Sequence, residues 1–130
     1  MTIAKWCLAA AWALPILTVG LAKVASARGP REQFYDNADP REWERRQTGW
    51  KQRANAAQQN GFEVLPLFFV AVLLAQMSGV DAARVDMLAL LFVALRVAYV
   101  GIYLANLAAL RTAVWGAGVA VCVVLLGLAA

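Results

Sequence analysis

The chain is 130 residues long, 62% of them apolar, with a formal net charge of +4 and no histidine. A soluble domain of this size cannot hide so much apolar surface, so the composition points to an integral membrane protein. The missing histidine removes Ser-His-Asp and Cys-His nucleophile systems and most zinc sites, and no glycine-rich phosphate loop is present.

Four apolar stretches, at about 3–25, 54–77, 86–110 and 112–128, each approach the ~20 residues that a helix needs to cross about 30 Å of hydrocarbon. They are continuous instead of alternating, and rich in Ala and Leu, which argues against a β-barrel. The expected fold is all-α: a transmembrane four-helix bundle forming one domain over 1–130, its second helix extended into the cytoplasm.

In the first stretch, Lys5, an apolar run and Ala25-Ser26-Ala27 before Arg28 imitate a signal peptide. The run is too long for that, and Lys23 lies too near the supposed cut, so we read a retained helix over 3–25. Ala9 with Ala13, and Gly116 with Ala120 in the last stretch, are small-xxx-small pairs that allow close helix approach and point to association beyond the monomer. Cys7 and Cys122 sit in apolar spans and read as small hydrophobes.

The loop at 26–52 gathers Arg28, Arg31, Arg41, Arg45, Arg46 and Lys51. By the positive-inside rule this loop and the third connection are cytoplasmic and both termini lie outside. Glu32, Asp36, Asp39, Glu42 and Glu44 are mixed in, a pattern that suits anionic lipid and not nucleic acid. Gly29-Pro30 marks a flexible connector able to lie over a cytoplasmic opening. Asp39-Pro40-Arg41-Glu42 has the order of an N-cap, a first-position proline and a capping acid, so the second helix is expected over 40–77. Gly49 is its candidate interruption and Pro66 its expected kink.

A polar patch from Arg53 to Glu63 runs straight into that span. At 100° per residue Arg53, Gln59, Asn60 and Glu63 fall within an arc of about 120°, with Ala56 inside it. On the third helix, expected over 86–110, Arg96, Tyr99, Tyr103 and Asn106 share an arc of about 80°. Ionisable groups at membrane depth are costly and mark a functional site by default. Glu63 is the one acid read as intramembrane, so Arg96 and Glu63 are expected to pair, directly or through a ligand. A purely structural role, fixing helix register, stays open for both stripes. Arg111, just before the fourth helix at 112–128, has the simpler reading of a topology anchor.

Asn60-x-x-Glu63-x-x-Pro66-Leu67-Phe68, preceded by Arg53-Ala54 and followed by Arg96-x-x-Tyr99-x-x-x-Tyr103 and Arg111, resembles the MAPEG superfamily, in a bacterial-type member. These are membrane-associated proteins in eicosanoid and glutathione metabolism. The resemblance covers nearly the whole chain. It implies a homotrimer in a bacterial inner membrane, with glutathione as cosubstrate between adjacent subunits near the cytoplasmic surface. Asn60 and Glu63 would help bind it, Arg53 would lie near its carboxylates, and Arg96, Tyr99 and Tyr103 would line the same site. Arg111 would stabilise the thiolate, since a cation beside a thiol favours the nucleophilic form. No metal is implied.

The implied function is a membrane-bound glutathione-dependent transferase or peroxidase acting on hydrophobic electrophiles or lipid hydroperoxides. The alternative is a non-catalytic member binding a lipid or protein partner, because the family includes a lipid-binding branch. The motif departs from the well-known glutathione-using branches at one place: Ala56 stands where they carry an Arg. A small multidrug transporter, also of four spans, would want a carboxylate in the first helix, and 3–25 contains none.

Overall fold

The computed structural model describes residues 2–130. Four long helices, α1 (Ile3–Ser26), α3 (Gly49–Met77), α4 (Ala82–Leu104) and α5 (Ala108–Ala129), form the bundle, and a short α2 (Pro40–Arg45) lies in the first loop. Each long helix is apolar and long enough to cross a membrane, and no strand occurs among the described residues. The all-helical four-span architecture expected from the apolar stretches is the one that forms.

The core is built around the stacked rings of Phe68 and Phe92, 3.9 Å apart at 12°. Small residues surround them: Ala4, Ala11, Ala71, Ala75, Ala89 and both cysteines are buried, and the cysteines are free thiols. Ala9 and Ala120, one member of each small-xxx-small pair, are exposed, so these pairs do not form the seam within the single chain. The close approach falls at Gly61 instead, where an added Cβ would come within 2.6 Å of Pro15 Cγ.

Hydrogen bonds staple the end of the bundle that carries both termini. The Ala4 N–H donates to Asp86 Oδ1 at 2.7 Å, Gln76 Nε2 to Thr2 Oγ1 at 3.0 Å, and Ser78 Oγ to the Ala129 carbonyl at 2.9 Å. Asp86 therefore satisfies one of the free N–H groups at the start of α1, where a negative charge also suits the helix dipole. It lies inside α4 because that helix starts at Ala82, earlier than expected, where Asp81 Oδ2 accepts from the Arg84 N–H at 3.1 Å.

The other end of α4 also differs from expectation. It stops at Leu104, and Asn106 takes the left-handed conformation at φ 61, which turns the chain into α5 at Ala108. The apolar residues on either side of Asn106 conceal this turn. Asn106 thus leaves the third-helix stripe, and Arg111 falls in the first turn of α5.

The second helix is broken as well. Asp39 caps α2 by accepting from the Glu42 N–H, with Pro40 at its first position, as the sequence pattern requires. The chain then leaves helical form between α2 and α3, which opens on Gly49 at φ +61. The intervening loop is anchored, not loose. Trp43 is fully buried beside Ala22 and Ala54, donates to the Gln33 carbonyl at 3.2 Å, and meets the edge of Tyr35 at 5.2 Å. Lys23 of α1 sits 4.0 Å above the Tyr35 ring.

Candidate functional site

The stripe on α4 forms a continuous column with α3 and α5. Arg96 is buried and donates through one guanidinium nitrogen to Asn60 Oδ1 at 3.0 Å. Its guanidinium carbon lies 4.1 Å from the centre of the Tyr99 ring, Tyr99 meets Tyr103 edge-on at 5.5 Å, and the Arg111 guanidinium lies 4.3 Å from the Tyr103 ring. Spacings of three and four residues line up the α4 members. The turn at Asn106 then folds α5 back so that Arg111 reaches Tyr103.

Neither cation has a carboxylate partner among the described residues; the ion pairs found there are Arg41–Glu44 at 3.0 Å and Arg45–Glu42 at 2.9 Å, both in α2. Aromatic faces and one amide oxygen hold the two guanidinium groups without cancelling their charge. Asn60, Tyr99 and Arg111 open, with Thr112 and Trp115, onto a cleft of about 120 Å³. Such a cleft suits an anion.

The direct Arg96–Glu63 pair does not form. Glu63 lies about 60° round α3 from Asn60, which carries it past the seam with α4 and leaves it exposed. Asn60 takes its place on Arg96. Glu63 instead lines an open crevice between α2 and α3, together with Arg41, Arg45, Asn55, Ala56 and Gln59. Arg53 turns the other way. Its Nε donates to the Leu104 carbonyl at 3.1 Å, capping the C-terminal end of α4.

The candidate residues therefore divide between two surfaces. Arg53, Asn60, Arg96, Tyr99, Tyr103 and Arg111 gather on the α3–α4–α5 side, and Glu63 faces the α2–α3 crevice. Two residues in these surfaces escaped the sequence reading. Trp115 sits one turn beyond Arg111, a spacing visible only once the start of α5 is placed. Asn55 belongs to the polar patch but lies outside the arc that links Arg53 to Glu63; it is 8% exposed, and neither its Nδ2 nor its Oδ1 has a hydrogen-bond partner.

The family model described as the MAPEG family matches residues 3–130. No curated protein and no solved structure matches the chain.

Proposed function

Because this chain belongs to the MAPEG family, we propose that it is a membrane-bound glutathione-dependent transferase or peroxidase acting on hydrophobic electrophiles or lipid hydroperoxides. The observation that carries the reading is the Arg111 guanidinium, stacked on Tyr103 without a carboxylate partner and opening beside Asn60 and Tyr99. A cation held in place but not neutralised stabilises a thiolate brought beside it. Glutathione would supply that sulfur, either bonding to a carbon as its leaving group departs, or reducing a hydroperoxide to alcohol and water while two glutathiones become one disulfide.

The remaining residues bind and orient. Asn60 and Tyr99 hold Arg96, Tyr103 holds Arg111, and Arg53 keeps guanidinium N–H groups beyond the one given to Leu104. Glu63 offers a carboxylate for an ammonium group. Within one chain it lies in a different crevice from Arg111, so in the homotrimer we propose, Glu63 of one copy faces the cleft of the next. At Ala56 no cation is present, but Arg41 and Arg45 of α2 line the same crevice and can meet a carboxylate there. The basic first loop would lie in the cytoplasm of a bacterial cell, where thiols are kept reduced.

One observation favours the second reading, a non-catalytic protein binding a lipid or protein partner in the same cleft: Arg53 and Arg96 already bond within the fold. Calorimetric titration of glutathione into the detergent-solubilised protein separates the two. We expect saturable binding, weakened about tenfold by Glu63→Gln, the size of one charge-assisted hydrogen bond. Arg111→Ala should abolish the ultraviolet absorbance of the bound thiolate. No binding at millimolar glutathione, from folded oligomeric protein, would overturn the enzyme reading and leave the second.

A further inference from the structure

The outer face of α1 carries a groove that neither candidate surface uses. Leu17, Gly20, Leu21 and Val24 line it and share an arc of about 100°. Leu17, Leu21 and Val24 are exposed, and a Cβ on Gly20 would meet nothing within 4 Å, so the helix is notched between them. From Ile16 to Ala25 the groove rises about 14 Å, close to the ~15 Å of hydrocarbon in one leaflet.

Its end nearest the first loop changes character. Arg28 lines the groove there, with Trp50 from the first turn of α3. Trp50 also lines a polar depression in the first loop, together with Arg46, Lys51 and Glu32. The two hollows therefore meet at one indole, a group suited to headgroup depth because it joins an apolar ring to an N–H donor. Arg28, Arg46 and Lys51 gather around it against the single acid Glu32. The ion pairs found among the described residues, both within α2, leave all three cations unpaired.

We propose that this composite hollow binds one anionic glycerophospholipid from the leaflet on the first-loop side. An acyl chain lies along Leu17, Gly20, Leu21 and Val24, and the phosphate sits beside Trp50 among Arg28, Arg46 and Lys51. The apolar half asks for a hydrocarbon chain and the cations ask for a negative headgroup, and a lipid of net negative charge supplies both at the spacing of a leaflet. A zwitterionic lipid would bring an ammonium group to the same cations, and an apolar helix of another protein would leave them without a counter-charge. The bound lipid ties the end of α1 to the start of α3, the two spans that the first loop joins. The site shares no lining residue with the cleft at Arg111 or the crevice at Glu63, and it does not depend on glutathione.

The test is native mass spectrometry of the protein released from vesicles containing equal amounts of phosphatidylglycerol and phosphatidylcholine. Phosphatidylglycerol should stay bound, one per chain, while phosphatidylcholine is shed. Arg46→Gln and Lys51→Gln should each weaken retention about fivefold, the effect of one cation at an anionic surface, and Arg46→Lys should keep it. Gly20→Leu has room in the fold and should fill the groove and displace the lipid, whereas Gly127→Leu, equally free of neighbours but at the far end of the bundle, should not. Equal retention of both lipids would mean ordinary solvation by the bilayer and would overturn the site. Phosphatidylglycerol held as well by Gly20→Leu as by the wild-type chain would overturn the groove, and unchanged retention in both glutamine variants would overturn the headgroup contacts. Retention by single protomers but not by the oligomer would mean that a neighbouring copy covers this face, which also overturns the proposal.

Discussion

Gly61 and Gly20 are both glycines in membrane-spanning helices, yet the structure assigns them opposite sensitivities. A Cβ at Gly61 would press on the rigid ring of Pro15, with Cγ at 2.6 Å and Cβ at 3.1 Å, whereas one at Gly20 would meet nothing within 4 Å. Overpacking of a tight seam costs about 1–3 kcal/mol, so Gly61→Ala should lower the thermal midpoint in detergent clearly. Gly20→Ala should leave it unchanged or slightly raised, because alanine is the better helix former. Equal behaviour of the two variants would mean that α1 and α3 do not meet at this point. The same scale governs Asn60. Its oxygen is the one hydrogen-bond acceptor found on the buried Arg96 guanidinium, so Asn60→Ala should destabilise the folded protein by about 1.5–3 kcal/mol, measured by denaturation in detergent.

At the scale of elements, the first loop behaves as part of the fold because one side chain holds it. Trp43 has no exposed surface and joins α2 to Ala22 of α1 and Ala54 of α3, with Leu104 and Tyr35 packed alongside. Trp43→Ala should cost about 3–5 kcal/mol of local stability. The loss should appear as faster proteolysis and hydrogen exchange across residues 27–48, with exchange in α4 and α5 unchanged. Uniform destabilisation of all four spans would instead make Trp43 a part of the global core. The spans were legible in the sequence because a continuous apolar run of about 20 residues matches the thickness of a bilayer. The Asp39–Pro40 helix start was legible because capping is local chemistry. Helix ends were less so: Asn106, one place past the C-cap of α4, is a known left-handed stop, but the apolar residues on either side of it read as one continuous span. That one backbone angle decides where Arg111 lies. The column of Arg96, Tyr99 and Tyr103 was readable from spacing alone, but whether Glu63 or Asn60 meets Arg96 depends on about 60° of helix rotation, which no spacing rule resolves.

For the whole molecule, the division of the candidate residues between two surfaces has a consequence that single-chain variants cannot reveal. Glu63 and Arg111 line different crevices of one chain, and the proposed homotrimer would let a site take one of them from a neighbour. If copies associate in a ring, a Glu63→Gln chain still offers an intact Arg111, and an Arg111→Ala chain still offers an intact Glu63. Mixing the two defective chains should then restore sites in which the sound halves meet, about one in three in every cyclic trimer that contains both chains. The measurement is glutathione-dependent conjugation of a hydrophobic aryl halide in vesicles, comparing co-expressed variants carrying different affinity tags, purified through both, with each variant alone. Activity in the doubly purified sample above the sum of its parents places the site between copies. Activity no greater than that sum, from assemblies shown to contain both chains, would mean that each protomer completes its own site and that the exposed Glu63 does not serve it.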